Sequence, residues 1–231
     1  RKEQRKRESI RAFHIPTMKL ITVEQMEQAT ERLLETGRKV GADSWQQRVK
    51  NQTPHCKFGE EGTCCRICSM GPCRVTPKAP RGICGCDVHG IVARNYLRFT
   101  AGGAATHSDH GRSICHTLYQ AKEGGNYTVK DPEKLKRIAK EWGIETENRD
   151  IYDLAHETAE TALMEYGKPF GISRFTSRAP EHTRKLWHDA GIEPRAIDRE
   201  VSQSMHMTHM GCSSLPEALI RQSLRAGLCD G

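Results

Sequence analysis

Residues 56–86 read CKFGEEGTCCRICSMGPCRVTPKAPRGICGC and hold seven of the chain's ten cysteines. Cys65 and Cys68 form a C-x2-C pair, Cys73 follows after four intervening residues, and Cys84 after ten more. Upstream, Cys56 stands eight residues before Cys64, which abuts Cys65. A buried structural cysteine behaves as a small hydrophobe and gains nothing from crowding with others, so thiols at this density point to metal ligation. A C-x2-C pair directs two sulfurs at one centre, and two more complete the four-thiolate set that zinc or a [4Fe–4S] cubane takes. Zinc ribbons usually bring two such knuckles. Here there is one, followed by Gly71-Pro72-Cys73, a turn that brings the third sulfur in from the side, as a cubane loop does. Cys86 lies two residues beyond Cys84 and competes with it for the fourth position.

The Cys64–Cys65 doublet carries a second inference. Adjacent side chains leave a strand on opposite faces, and a helix about 100° apart. They are poorly placed to share one compact cluster and well placed to reach two. If Cys65, Cys68, Cys73 and Cys84 hold one cluster, Cys56 and Cys64 are left as half of another. A two-fold axis would supply the missing thiolates from a second subunit. The plainer alternative leaves Cys56 free.

Those cysteines, with Gly71-Pro72-Cys73-Arg74, Arg81-Gly82-Ile83-Cys84-Gly85, Ile91-Val92-Ala93-Arg94-Asn95 and Ala104-Ala105-Thr106-His107-Ser108-Asp109-His110-Gly111, resemble the anaerobic nickel–iron–sulfur carbon monoxide dehydrogenases. The likeness is strongest over 56–116 and returns at Met205-His206-Met207-Thr208-His209-Met210-Gly211. It implies an intrasubunit [4Fe–4S] cluster on Cys65, Cys68, Cys73 and Cys84, and a subunit-bridging cluster on Cys56 and Cys64. It also favours Cys84 over Cys86, which departs from the small residue usual there. By the same resemblance the full enzyme is a homodimer that performs CO + H2O ⇌ CO2 + 2 H+ + 2 e−. A ferredoxin-like electron carrier is its implied partner, and an acetyl-CoA synthase subunit is a further one. The ligands of the nickel–iron–sulfur cluster lie farther along such chains, in α/β domains. Nothing before Gly231 matches them, so this segment alone is expected to be inactive in CO oxidation.

The chain has 231 residues and a net charge of +7, spread along its length. That spread reads as a solvated surface rather than a nucleic-acid footprint, although an acidic electron carrier would find it favourable. No apolar run approaches the ~20 residues of a membrane span, and the basic opening 1–11 lacks the apolar core of a signal peptide. Thiols kept as metal ligands indicate a reducing compartment, with cytoplasm the default. The chain begins at Arg1 rather than Met and ends at Asp230-Gly231, which with the resemblance suggests a piece of a longer polypeptide.

The expected fold is mainly α: N-terminal helices over 1–53, a cluster loop over 54–88 and a helical domain over 89–231, with α/β domains downstream. Thr22-x-x-Gln25 reads as a capping box. Val23, Met26, Thr30, Leu33, Gly37 and Val40 then trace the apolar stripe of a helix to about Arg38, expected as core. Asp43 is the expected cap of a second helix, and the pair is expected to cover the clusters. A long helix spans 88 to about 123, unusual for Ala101-Gly102-Gly103-Ala104-Ala105, whose small residues permit close approach of another helix or subunit. Asp131-Pro132, Asp150, Pro180, Arg195 and Pro216 start later helices, and 167–177 reads as loop. Ile151, Leu154, Ala155 and Leu163 are expected to be buried in one of these, and Leu219, Ile220, Ser223, Leu224 and Leu228 to line the last.

His107, His110, Ser113 and His116 recur at steps of three, each rising about 4.5 Å and turning back about 60° on a helix. Imidazoles spaced so can pass protons, or can cap turns and bond carbonyls. The resemblance implies a proton path with His107 nearest the metal and Ser113 where some members carry another histidine. His206-x2-His209 admits a two-ligand metal pair or plain hydrogen bonding, and Cys115, Cys212 and Cys229 read as reduced core thiols. Two other classes stand beside this reading. A hybrid-cluster redox protein would carry a different N-terminal cysteine pattern. A zinc-stabilised binding module for nucleic acid would be expected to interleave basic and aromatic residues, which the loop does not.

Overall fold

A computed structural model describes residues 23–124 and 126–231, so the capping box at Thr22 and the basic opening fall outside the described residues. The chain forms two compact units, 1–55 and 56–231. In the first, α1 (Val23–Lys39) is followed by α2 (Trp45–Asn51). The α1 stripe is not a core: Met26, Leu33 and Val40 are 55%, 73% and 76% exposed. Among the described residues, α1 and α2 alone offer too little interior to enclose that face. The cap of α2 is Ser44 rather than Asp43. Its hydroxyl accepts from the Gln47 N–H, while the Asp43 carboxylate pairs with Arg48 at 3.2 Å.

The second unit is built on one rod, α4 (Val88–Gln120). Asp87 starts it, its Oδ1 accepting from the Gly90 N–H at 2.9 Å. Gly90, Ile91, Ala93, Arg94, Leu97, Ala101 and Ala104 are buried, a face that repeats every three to four residues. Against it pack α6 (Ile151–Tyr166), α8 (Ile197–Thr208) and α9 (Pro216–Asp230). Leu97 and Leu219, both fully buried, meet with Ala93 in the centre of this packing. Gly102 and Gly103 are exposed, and among the described residues nothing outside their own helix lies within 4 Å of where a side chain would begin. The rod continues as a 3-10 turn over Ala121–Glu123.

A second core joins α5 (Pro132–Glu141) to α6 through Leu135, Ala139, Ile144, Leu154 and Ala155. Both helices start on an aspartate. Asp131 Oδ1 accepts from the Lys134 N–H, and Asp150 Oδ1 from those of Tyr152 and Asp153. Ile151 and Leu163 are only half-buried, against the expectation; small residues of α6 such as Ala155, Ala159 and Ala162 fill the interior instead. The segment expected as loop contains a 3-10 turn, Arg174–Arg178. The buried Glu165 gathers it, accepting from the Arg174 N–H at 2.8 Å and pairing with Lys168 at 3.2 Å. Next comes α7 (Glu181–Asp189). On α9, Ile220 and Leu224 are exposed rather than buried, and Leu228 is half-buried. The buried face runs through Leu219, Gln222, Ser223 and Ala226. The inward polar positions are taken because Gln222 donates to the buried Glu200, itself held by Arg195 at 2.7 Å.

Candidate metal centre

The cysteine segment opens with α3 (Lys57–Glu60), and its two-stranded sheet pairs β1 (Cys64–Cys65) antiparallel with β2 (Cys73–Arg74). Cys65 lies opposite Cys73, and Cys64 opposite Arg74. Cross-strand partners share a face and neighbours alternate, so Cys65 and Cys73 project to one side while Cys64 and Arg74 project to the other. The Arg74 guanidinium sits 5.5 Å from the Phe58 ring centre, which ties that outer side back to α3. Cys56 caps α3 and is exposed.

Cys65, Cys68, Cys73 and Cys84 line one small cavity, with Ile67, Ile83, Ile91 and Met210 as its apolar wall and Arg94 at its edge. Cys56, Cys64 and Cys86 do not reach it. Cys84 gets there because Gly85 turns the chain at φ 85°, a conformation costly for any residue with a side chain. Its thiol is pushed up by burial, but the Cys86 N–H and the Arg94 guanidinium, 3.5 Å away, outweigh that and hold it below the usual range. Cys86 turns inward, buried, with its thiol raised mainly by that burial. It packs against Gly90, where a β-carbon would come within 2.5 Å of its sulfur. The Ile83 N–H also approaches Cys73 Sγ, at 3.5 Å.

Four thiols ringing a hollow with apolar walls and a cation at the rim fit an anionic metal–sulfur cluster in chemistry and placement. Among the described residues, no three His, Cys, Asp or Glu side chains are gathered so as to hold a single metal ion. His206, His209 and Cys212 are all exposed and form no such group.

His107, His110 and His116 are exposed along α4. The His107 Nδ1 lies 3.0 Å from both carboxylate oxygens of Asp230, at the end of α9. A carboxylate only accepts, so Nδ1 is the donor in this contact and Nε2 takes no part in it. The Ser113 hydroxyl donates to the Asp109 carbonyl within the helix. Cys115 is half-buried against Tyr166, whose phenol is pushed up to about 12 by burial and by that thiol. Cys212 is exposed, not core, and Cys229 is largely covered, its sulfur donating to the Arg195 carbonyl at 3.0 Å.

Sequence reasoning assigned no role to Arg94, Asn95, Met210, Ser213 or Asp230. Arg94 had a signal, a lone charge amid the apolar run Ile91-Val92-Ala93. The Asn95 amide donates to the Gly62 and Cys64 carbonyls, both at 2.9 Å, and so anchors β1 to the rod. Arg94 donates to the Ser213 carbonyl, and Arg98 to Thr208 Oγ1 at 2.6 Å. These bonds explain why residues 205–214 matter to a loop more than a hundred positions earlier.

A mainly α scaffold that presents four thiols around one cavity is an arrangement of the kind that cluster-binding metalloproteins use. The model of the Prismane/CO dehydrogenase family matches residues 63–231, and the chain belongs to that family. It is 43% identical over 208 residues to carbon monoxide dehydrogenase 1 of Methanosarcina mazei, covering 88% of this chain and 33% of that one. Carbon monoxide dehydrogenase 1 of Carboxydothermus hydrogenoformans is 38% identical, over 87% of this chain and 33% of its own. Among solved structures, the nickel-free carbon monoxide dehydrogenase from Thermococcus sp. AM4 superposes with a TM-score of 0.79 at 42% identity, over 87% of this chain and 33% of that one. An acetyl-CoA synthase/carbon monoxide dehydrogenase structure gives 0.78 at 34% identity, over 91% and 32%. The chain thus spans about a third of the length of the curated relatives it matches. Among the described residues, no helix is long and apolar enough to cross a membrane.

Proposed function

We propose that this chain is the N-terminal electron-transfer and dimerisation part of an anaerobic carbon monoxide dehydrogenase, which as a whole converts CO and water to CO2, two protons and two electrons. Cys65, Cys68, Cys73 and Cys84 would hold a [4Fe–4S] cluster within the subunit, and Cys56 and Cys64 would contribute half of a cluster shared with a second copy. A bound [4Fe–4S] cluster accepts and releases single electrons. The chain's own residues set its surroundings. Ile67, Ile83, Ile91 and Met210 give the cavity an apolar lining, and the Ile83 N–H approaches a ligand sulfur. Asp230 holds His107 with Nε2 free to take up or release a proton, and His110 and His116 extend the path away from it along α4. Nickel ligands would come from polypeptide beyond Gly231.

The observation that carries this reading is the convergence of those four thiols on one cavity, in a chain that belongs to a family named for CO dehydrogenase. The hybrid-cluster reading shares the family model, but the relatives compared above bear the dehydrogenase name. A ferredoxin-like carrier is the proposed electron acceptor. An acetyl-CoA synthase subunit is the proposed further partner, since a matching structure is of such a complex. The test is anaerobic purification of the full-length protein. Brown colour, broad visible absorbance, stoichiometric iron and sulfide, and CO-dependent reduction of a viologen dye are expected. A colourless protein containing zinc would sink the proposal.

A further inference from the structure

Arg94 is 3% exposed, yet its hydrogen bonds run to a carbonyl, Ser213 O, and to the thiol of Cys84 at 3.5 Å. Among the described residues no carboxylate forms an ion pair with it. Among the described residues, the two other fully buried charges are matched: Glu200 by Arg195, and Glu165 by Lys168 and Arg174. A guanidinium does not lose its proton in proteins, so this site cannot relieve its charge by titrating. A buried charge without a countercharge is strongly destabilising. The fold nevertheless fixes it in place, with two nitrogens on Ser213 O and a third facing the thiol cavity.

Resting on the cluster reading above, we infer that Arg94 is the internal counter-ion of an anionic group seated among Cys65, Cys68, Cys73 and Cys84, and that it sets how readily that group accepts an electron. Four thiolates around a cubane core leave a net negative charge, and reduction by one electron adds another. A fixed cation at the rim favours the more negative, reduced state, and its low-dielectric surroundings strengthen the effect. Arg94 is therefore a positioning residue for charge, acting through the cluster rather than touching any substrate. The Ser213 carbonyl makes the arrangement conditional on 205–214 lying over the loop.

The experiment compares the anaerobically purified full-length protein with its Arg94→Met and Arg94→Lys variants. Reduction is followed by electron paramagnetic resonance during a potentiometric titration, the relevant signal being the one that Cys73→Ser abolishes. In Arg94→Met, the reduction equilibrium should become about tenfold less favourable, a midpoint ~59 mV more negative for a one-electron couple. Arg94→Lys, which keeps the charge, should stay within about threefold of the parent, well under that step. An unchanged midpoint in fully loaded Arg94→Met overturns the inference. So does a shift in Arg94→Lys as large as in Arg94→Met, because geometry rather than charge would then be responsible. If Arg94→Met takes up no cluster, a loaded Arg94→Lys with the parental midpoint upholds the counter-ion role, and loss in both variants overturns it. Failure of the underlying cluster reading shows separately, as a parent protein without iron and sulfide.

Discussion

Cys84 and Cys86 are chemically identical and two residues apart, and their surroundings separate them. Cys84 stands at the cavity beside a cation, whereas Cys86 is packed under the start of α4. Cys73→Ser is expected to abolish the visible absorbance and most of the iron of the proposed site. Cys86→Ser should retain both while losing about 1–3 kcal/mol of stability through a buried, unsatisfied hydroxyl. Iron analysis and denaturant unfolding of the two variants check this pair. Cys229 offers a test of burial by pH. Its thiol is pushed up to about 12 by burial, with Glu200 and Asp230 adding to it. The folded state favours the protonated form, so its stabilising contribution is complete below the ordinary thiol value near 9 and is lost as pH rises through about 12. At pH 8, alkylation should label the exposed Cys212 and spare Cys229, as peptide mass spectrometry would show. Equal labelling would contradict the burial.

At the scale of elements, α4 combines a buried first half with a glycine pair that, among the described residues, has open space where side chains would begin. Gly102→Ala should raise stability by about 1 kcal/mol, the helix-propensity difference, because the added methyl enters open space. A loss of stability in thermal unfolding would instead show another surface packed closely there. Helix starts were legible because aspartates and prolines act locally: Asp131, Asp150 and Pro216 each mark an observed beginning. Burial was less legible, because it depends on which neighbours arrive. The α1 stripe has the right period and lies exposed, while α9 buries Gln222 and Ser223 in place of Ile220 and Leu224. Nothing in the local sequence announces that Glu200 will need Gln222. The thiol cavity was legible in its four cysteines, whose spacing is itself the signal. Its cation, its Met210 wall and the Asp230 partner of His107 were not, because each comes from a distant segment brought close only by packing.

For the whole molecule, Cys64 and Arg74 face away from the cavity that Cys65 and Cys73 help to line. The proposed shared cluster requires that outer side to meet its counterpart in a second copy. The full-length protein is expected to sediment as a dimer. Replacing Cys56 and Cys64 together by serine should lower iron per chain without removing the resonance assigned to Cys65, Cys68, Cys73 and Cys84. Analytical ultracentrifugation with metal analysis reads both outcomes, and iron content unaffected by the double replacement would count against a cluster on the outer face.

The 33-residue rod α4 carries Arg94 and Asn95 near one end and His107 beyond its middle. Thirteen helical positions from Arg94 to His107 fix an axial offset of roughly 20 Å, and the screw of the helix fixes the bearing of one side chain from the other. The rod is therefore a gauge, machined into the backbone, between where electrons would be held and where a proton would be handled. Insertion of one alanine between Phe99 and Ala104 would advance the imidazole by about 1.5 Å and swing it through about 100°. Asp230 would then be out of reach, while the thiol end stayed seated. Such a variant should keep its iron and lose the His107 partnership, a separation of functions readable by nuclear magnetic resonance titration of that imidazole.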